Sequence, residues 1–474
     1  MRSMEMKVPH PADRNIVPTS ISAEAANIWL FRFFCLLIFW APIPLGSNIA
    51  FALTLLEGLF FLLFLLWLLS YLFRSTPLPR GVTANWKWFT PLILWGAVPL
   101  IGLIPLSESM MHTLSPKHME IYQQLPQITS YQFSITPSAS LDQFFQRLAW
   151  LAAFWLALVL ITTRKRIISL LAILLVATLF QSFVSLVSQY LEMPLFFWIN
   201  QGGESFNGTF FNPNHFAGYL ELTLPATAAY ILYKTSFKNS FLAKNTNNYP
   251  HQSVLELHGF AIIVLLLLLV VFFNSHSRGG LIALTAASLY TIFAYRMIAQ
   301  RQQTVLVLTT AFLATIPIVG LFSMDLPYLL EHLEPSIAER LLVYHTLLTG
   351  PITDYWLTGT GGGSFQSIFP LYRPQSIESF YKHAHNDHLE FICEYGLPGY
   401  LFWLLSIGLI ALRLFIALSG PLHQLNILTI WACGTAVLSL MIHGLVDFNF
   451  HIPANFLTFH VLLALALAAT EVQE

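Results

Sequence analysis

His258 to Asn274 reads HGFAIIVLLLLLVVFFN, a run without Asp, Glu, Lys or Arg. Ser275, His276, Ser277, Arg278, Gly279 and Gly280 follow, and a second apolar run then continues to about residue 297. A helix needs about 20 mostly apolar residues to cross the hydrocarbon core of a bilayer. Helices satisfy their own backbone polar groups there. Two such runs around a short polar link predict a membrane-crossing hairpin with a cationic tip.

The rest of the chain has the same character. Of 474 residues, 56% are apolar and only 9% are charged, against roughly 25% charged in a soluble domain. So few charges cannot clothe a water-facing surface of this size. This excludes an ordinary soluble enzyme and a disordered regulator. The 22 basic and 23 acidic residues nearly cancel. With no broad basic field, no nucleic-acid partner is expected. Cys35, Cys393 and Cys433 form no metal-ligand spacing and no disulfide framework.

Apolar runs predict about twelve spans, near 28–46, 49–73, 86–106, 144–163, 167–190, 214–234, 258–274, 280–297, 304–322, 388–412, 425–447 and 453–471. The expected fold is all-α and polytopic. Its parts are a cytoplasmic tail (1–27), nine transmembrane helices (28–322), a long outer loop (323–387) and three further helices (388–474). The long loop exceeds a simple turn. With a helical stretch from Ser336 to Leu348 and glycines from Gly359 to Gly363, it is expected to fold as a cap. The polar start, Met1 to Asn27, lacks the pattern of a removable signal peptide.

Lysine and arginine placement sets the orientation. With a cytoplasmic N-terminus, the inner segments hold Arg2, Lys7, Arg14, Arg74, Arg80, Lys87, Arg164, Lys165, Arg166, Lys234, Lys238, Lys244, Arg296, Arg301 and Arg413. The outer segments hold Lys117, Arg147, Arg278, Arg340, Arg373 and Lys382. Both termini are therefore expected in the cytoplasm.

The polar residues collect on the outer side. Arg278 sits at a membrane-embedded helix end, where a lone cation is costly and marks function by default; a snorkelling arginine is the alternative. In Asn212-Pro213-Asn214-His215 the chain is expected to turn and begin a helix whose free N–H groups suit an anion. The densest cluster is Lys382-His383-Ala384-His385-Asn386-Asp387-His388-Leu389-Glu390. Imidazole accepts protons near neutral pH. His385 and His388 share a face if both are helical, and Asp387 is placed to orient a ring. Three other readings stand beside it: a zinc site, since His-x-His-x-x-His can ligate; capping by Asn386 and Asp387; and idle interfacial histidines. Arg340 is either functional or a surface charge on an amphipathic helix. In the last outer turn, His443 to Asn455, Asp447 reads as a packing group between helices. The middles of the spans look nearly free of ionisable groups.

Taken together, these segments resemble the O-antigen ligase/polymerase superfamily of bacterial polytopic membrane proteins. His385-Asn386-Asp387-His388-Leu389-Glu390 followed by Tyr395-Gly396-Leu397-Pro398-Gly399 is similar to the family's His-Asn-x-x-Leu…Gly signature. Ser277-Arg278-Gly279 is similar to its Ser-Arg-Gly motif, and Asn212 to His215 with Ala217 to its Asn-x-Asn-x-x-Ala segment. The resemblance spans about residues 200–460. It implies a GT-C-like helical fold in the bacterial inner membrane. It also implies transfer of a glycan from undecaprenyl pyrophosphate to an acceptor hydroxyl on the periplasmic side, with no cofactor and no essential metal. By the same resemblance His385 is the catalytic histidine with His383 beside it. Arg278 contacts the pyrophosphate, and Arg340 is the loop arginine. Asn212, Asn214, His215, Asn386 and His388 complete the expected substrate-binding set.

The acceptor stays open: a lipid A core sugar (ligase), another glycan (polymerase) or a protein hydroxyl. A different class, a transporter of a small anion such as bicarbonate, shares the many spans and the buried arginine. It requires a midplane site and alternating access. A third reading, a structural partner of a flippase, has no chemistry at all.

Overall fold

Residues 453–469, PANFLTFHVLLALALAA, are apolar on every side, and a helix of that kind belongs in an interior. In the computed structural model every residue of this helix is buried, with Pro137–Leu160, Pro213–Asn245, Asp387–Leu418 and Gln424–His443 packed against it. The structure describes residues 21–74, 77–124, 130–190, 206–245, 251–298 and 326–473.

The longer helices among the described residues are α1 (Ile21–Trp40), α2 (Ala50–Arg74), α3 (Trp86–Trp95), α4 (Pro137–Leu160), α5 (Arg164–Tyr190), α6 (Pro213–Asn245), α7 (His251–Phe273), α8 (Arg278–Ile298), α9 (Leu326–Thr349), α10 (Phe365–Tyr372), α11 (Asp387–Leu418), α12 (Gln424–His443) and α13 (Pro453–Ala469). No strand occurs among the described residues, only a single bridge between Leu106 and Tyr131. By length and composition α2, α4, α5, α11 and α12 are able to cross a membrane, and Asn27–Trp40, Ala261–Phe273 and Pro453–Ala469 form shorter apolar helices. The expected span at 304–322 lies outside the described residues.

The span expected at 86–106 is broken. Helix α3 ends at Trp95, and a separate turn covers Val98–Ile101. Pro91 and Pro99 each lack the N–H a continuous helix needs. Gly96 packs tightly: a Cβ there would lie 2.2 Å from a Leu151 methyl. Arg147, expected in an outer segment, is instead buried within α4, its guanidinium 3.9 Å from the Trp95 ring centroid and 4.1 Å from that of Tyr395. Stacking on aromatic faces is the favourable way to bury this ion.

Helix α11 also departs from a simple rod. At Gly396 φ is +67°, in the left-handed region that favours glycine. Pro398 cannot donate to the Glu394 carbonyl, and the Leu397 N–H turns to Trp356 O at 2.7 Å. The freed carbonyls find partners in the glycine-rich stretch: Thr360 N–H donates to Cys393 O (3.0 Å) and Gly361 N–H to Glu394 O (2.9 Å). The loop from 359 to 363 therefore mends the helix break.

The long segment before α11 builds its own small core from Val343, Leu347, Tyr355, Phe365, Ile368, Phe369, Ala384 and Cys393. It rests on the start of α11 as a helical subdomain.

One end of the bundle collects the starts of α6, α8, α11 and α13 and the ends of α7 and α12. Asn214 reaches Asp447 (2.6 Å), Phe206 N–H reaches Asn274 O (2.8 Å) and Asn386 reaches Leu445 O (2.8 Å). At the opposite end Arg413 pairs with Glu471 at 2.5 Å and with Asn85 at 2.8 Å, and Arg164 reaches the Gln473 carbonyl. Cys35, Cys393 and Cys433 are free and buried.

Two glycines of α11 separate backbone need from sequence habit. Gly396→Ala places a Cβ 2.6 Å from Leu357 O at a left-handed φ. Such a site costs about 1–3 kcal/mol, so the variant is expected to melt several degrees lower in detergent. Gly408 has nothing within 4 Å of its would-be Cβ, and Gly408→Ala is expected to match or exceed the parent. Equal melting temperatures for both variants would remove the role assigned to the break.

Candidate active site

Helix α11 begins where the sequence places its histidine cluster. Asn386 caps it, its side chain accepting from Leu389 N–H at 3.0 Å and donating to Leu445 O. His385 precedes the helix with φ +51°. His385 and His388 therefore do not share a helix face. The left-handed backbone of His385 is strained, and such outliers cluster at working sites. Tyr344, on α9, pins it by donating to the His385 carbonyl at 2.5 Å. Burial pushes the Tyr344 hydroxyl up to about 12, so it remains a donor. His276, in the hairpin before α8, is the other histidine at positive φ among the described residues.

Asp387 orients a ring, but the ring belongs to His451. Its Oδ1 lies 2.8 Å from His451 Nδ1, and its Oδ2 accepts from Phe450 N–H at 3.1 Å. The other side of His451, Nε2, is 3.2 Å from Glu390 Oε1, which is 2.8 Å from His383 Nδ1. Burial alone would lower the His451 value. The Glu390 carboxylate and the Asp387 hydrogen bond outweigh it and raise His451 to about 9. His383, Glu390 and His451 each offer one ligand atom within 4.8 Å of the others, so among the described residues these three are able to hold a metal. His383 hydrogen-bonds Glu390 directly, and His451 Nε2 faces the same oxygen.

The partner of His385 is Asp447. Its Oδ1 is 3.6 Å from His385 Nδ1 and 3.8 Å from His215 Nε2. Both contacts are longer than a hydrogen bond. Oδ1 also accepts from Phe448 N–H, and Oδ2 from Asn214 Nδ2. Burial would raise this carboxyl. The His215 and His385 rings, with the charge of His443, outweigh it and hold Asp447 well below the usual carboxylate range. His385 Nδ1 is buried against Asp447 while the side chain keeps 26% of its exposure, which leaves Nε2 for a ligand. Phe448 fills the centre, with ring centroids 4.5 Å from His215, 4.5 Å from His383 and 4.8 Å from His385.

One expected arginine reaches this turn, and the backbone beside the other packs against it. Arg340 Nη1 donates to Val446 O at 2.8 Å. Gly279, next to Arg278, packs so closely that a Cβ would lie 2.9 Å from Val446 and 3.0 Å from His443. Among the described residues Arg278 has no hydrogen-bonding or ion-pair partner. The backbone beside Arg278 and the acid that faces His385 thus meet at adjacent residues of one turn, Val446 and Asp447.

Two expectations fall differently. The helix N-terminus at 212–215 is closed: Asn212 Oδ1 takes the Asn214 N–H at 2.8 Å, and the Asn212 carbonyl takes those of His215 and Phe216. His388 points into the bundle, with Nδ1 2.9 Å from the Tyr400 hydroxyl and Nε2 2.8 Å from Met441 O. The middles of the helices are not free of ionisable groups either. Glu221 of α6 is fully buried, 2.7 Å from His443 Nδ1 and 2.6 Å from Ser439 Oγ. Glu221, Phe448 and the Asp447–His385 contact lay beyond sequence reasoning, although His443 to Asn455 already stood out as a polar turn.

Residues 263–404 match the O-antigen ligase family. This segment belongs to the O-antigen ligase/polymerase superfamily. It carries Arg278, Arg340 and the whole histidine cluster from His383 to His388. Asn214, His215 and Asp447, which complete the site, lie outside it. No curated protein matches the chain.

The His451 geometry makes a signed prediction. Its value is raised from 6.5 to about 9, so its stabilisation is complete below about pH 6.5 and is lost as pH rises through 9. The linkage amounts to about 3 kcal/mol. The melting temperature of the detergent-purified protein is expected to fall across that window. His451→Asn should melt lower throughout and show a flatter slope; an unchanged slope would mean His451 is neutral in the folded protein.

Proposed function

We propose that the chain is a membrane glycosyltransferase of O-antigen ligase type. It moves a glycan from undecaprenyl pyrophosphate to an acceptor hydroxyl at the periplasmic face of the bacterial inner membrane. The observation that carries this reading is the meeting of Arg340 and the Asp447–His385 pair on the turn 443–447, against which the backbone of Gly279, beside Arg278, packs.

The chemistry follows from those groups. Asp447 faces His385 Nδ1, which favours the tautomer with its proton there and leaves Nε2 basic. Nε2 takes the proton of the acceptor hydroxyl as its oxygen attacks the anomeric carbon. The bond between that carbon and the pyrophosphate oxygen breaks, and undecaprenyl pyrophosphate departs. Pyrophosphate is a good leaving group, so no general acid is needed. Guanidiniums suit its oxygens through charge and fork geometry, and they stabilise charge that grows as the bond breaks. His383, Asn386 and the folded subdomain before α11 border the polar side, where the sugars belong.

The lipid has a place as well. An apolar cavity of about 810 Å³ lies between α8, α11, α12 and α13, lined by Tyr290, Leu404, Ile410, Trp431, Val437 and Met441 among others. Its lining includes Met441 and Ile442 of α12, next to His443. A prenyl chain fits such a surface, and burying each CH₂ contributes about 0.8 kcal/mol. A transporter needs its polar site at the midplane, whereas here the buried acid within α6, Glu221, is paired with His443 at the end of α12.

Reconstitution with a lipid-linked oligosaccharide and candidate acceptors tests the reading. Transfer should proceed without nucleotide sugar. His385→Ala should cut the rate by about 10²–10⁴-fold, the usual contribution of a positioned base, with the folded yield unchanged. Asp447→Asn should lower kcat more than it changes KM. Full activity of His385→Ala would dismiss the base.

A further inference from the structure

The motif Ser277-Arg278-Gly279-Gly280 contains two adjacent glycines, and the structure shows what each makes room for. A Cβ at Gly280 would lie 2.7 Å from Glu221 Oε1, and one at Gly279 would lie 3.0 Å from His443 Nε2. The start of α8 is therefore moulded around the buried pair Glu221 and His443. That pair is tightly built: His443 Nδ1 meets Glu221 Oε1 at 2.7 Å, and Ser439 donates to Oε2 at 2.6 Å. The two side chains are 1% and 0% exposed.

His443 has one nitrogen engaged and one not. Among the described residues Nε2 has no hydrogen-bonding partner, and it rests against Gly279. The same place offers other unmatched groups. Gly280 N–H is taken by Ser277 Oγ at 3.3 Å, while the N–H groups of Arg278 and Gly279 have no partner among the described residues. The start of a helix carries partial positive charge and free donors. An imidazole nitrogen and two backbone N–H groups thus lie at the start of α8, the helix that opens with Arg278.

We infer that His443 is a further substrate contact: its Nε2–H donates to the diphosphate held at the start of α8, and Glu221 is the positioning residue that holds the ring. The inference rests on the reading of Arg278 as the pyrophosphate contact. With a diphosphate bound, the ring lies between two anions, Glu221 and the phosphate oxygens, and carries a proton on each nitrogen. Hydrogen bonds in which both partners are charged are the strong ones. The buried carboxylate thereby supplies the diphosphate with a fixed cation that no long side chain has to be ordered to deliver. It also gives Gly279 and Gly280 a physical reason: a side chain at either position would push the pair away.

Inorganic pyrophosphate, titrated into the full-length protein in detergent, is the probe, with orthophosphate as the ionic control. The parent should bind pyrophosphate, and Arg278→Ala should weaken that binding. His443→Ala should weaken it about tenfold or more, and Glu221→Gln should weaken it by a comparable factor. Adding Glu221→Gln to His443→Ala should bring no further loss, because Glu221 acts only through the ring. A purely structural role would instead add its cost in the double variant. In glycan transfer, His443→Gln, which keeps a donor of similar reach, should recover part of the donor KM lost in His443→Ala. His443→Gln also serves if His443→Ala does not fold. Parent-like pyrophosphate binding by folded His443→Ala and His443→Gln overturns this inference and leaves the role of Arg278 standing. No pyrophosphate binding by the parent overturns both.

Discussion

A single carboxylate, Asp447, holds the candidate site together. It is 1% exposed and stands on the turn between α12 and α13. Asn214 reaches it from α6, and His385 and His215 face its other oxygen. Its own backbone carbonyl accepts from Asp387 N–H at 3.1 Å, which docks the start of α11 on the same turn. A buried charge of this kind is costly unless compensated. Three chain segments far apart in sequence must therefore meet wherever Asp447 sits.

A second constraint comes from the close approach of helices. Gly218 lets Asn449 and Asn455 press against α6: a Cβ there would lie 2.1 Å from Asn449 Oδ1. Asn455 in turn donates to the His215 carbonyl at 2.9 Å and to Asn449 at 3.0 Å. Glycine and asparagine thus lock α6, the 443–452 turn and α13 into one unit. The strained backbone of His385 persists because that unit, the Asn386 cap and Tyr344 determine it from three sides.

The polar groups divide into two networks that share α11. In one, His451 lies between Asp387 and Glu390, with His383 beyond. In the other, Asp447 gathers His385, His215 and Asn214. Phe448 stands between them, its ring against histidines of both. The first network is closed on itself and rigid. The second leaves a histidine nitrogen accessible, as a site for proton transfer requires. Sequence alone offered Asp387 as the orienting acid because it is two residues from His385. In space the acid is Asp447, because the helix beginning at Asp387 turns that side chain toward His451.

The sequence by itself determined the class of molecule: charge content and apolar runs admit little but a helical membrane protein, since lipid leaves backbone groups no other partners. Local chemistry also marked the candidate residues. Arg278 stands at a helix start, Asn386 is a cap, and His383 and His385 fall in a dense polar cluster. The break in α11 was written in Gly396 and Pro398, yet the loop that mends it was not. Only the tertiary structure decided which residues become partners. The Asp447–His385 contact, the Glu221–His443 pair and the inward turn of His388 join positions up to hundreds of residues apart. Periodicity and capping rules act within a few residues, whereas a buried charge takes its partner from whatever helix packs beside it.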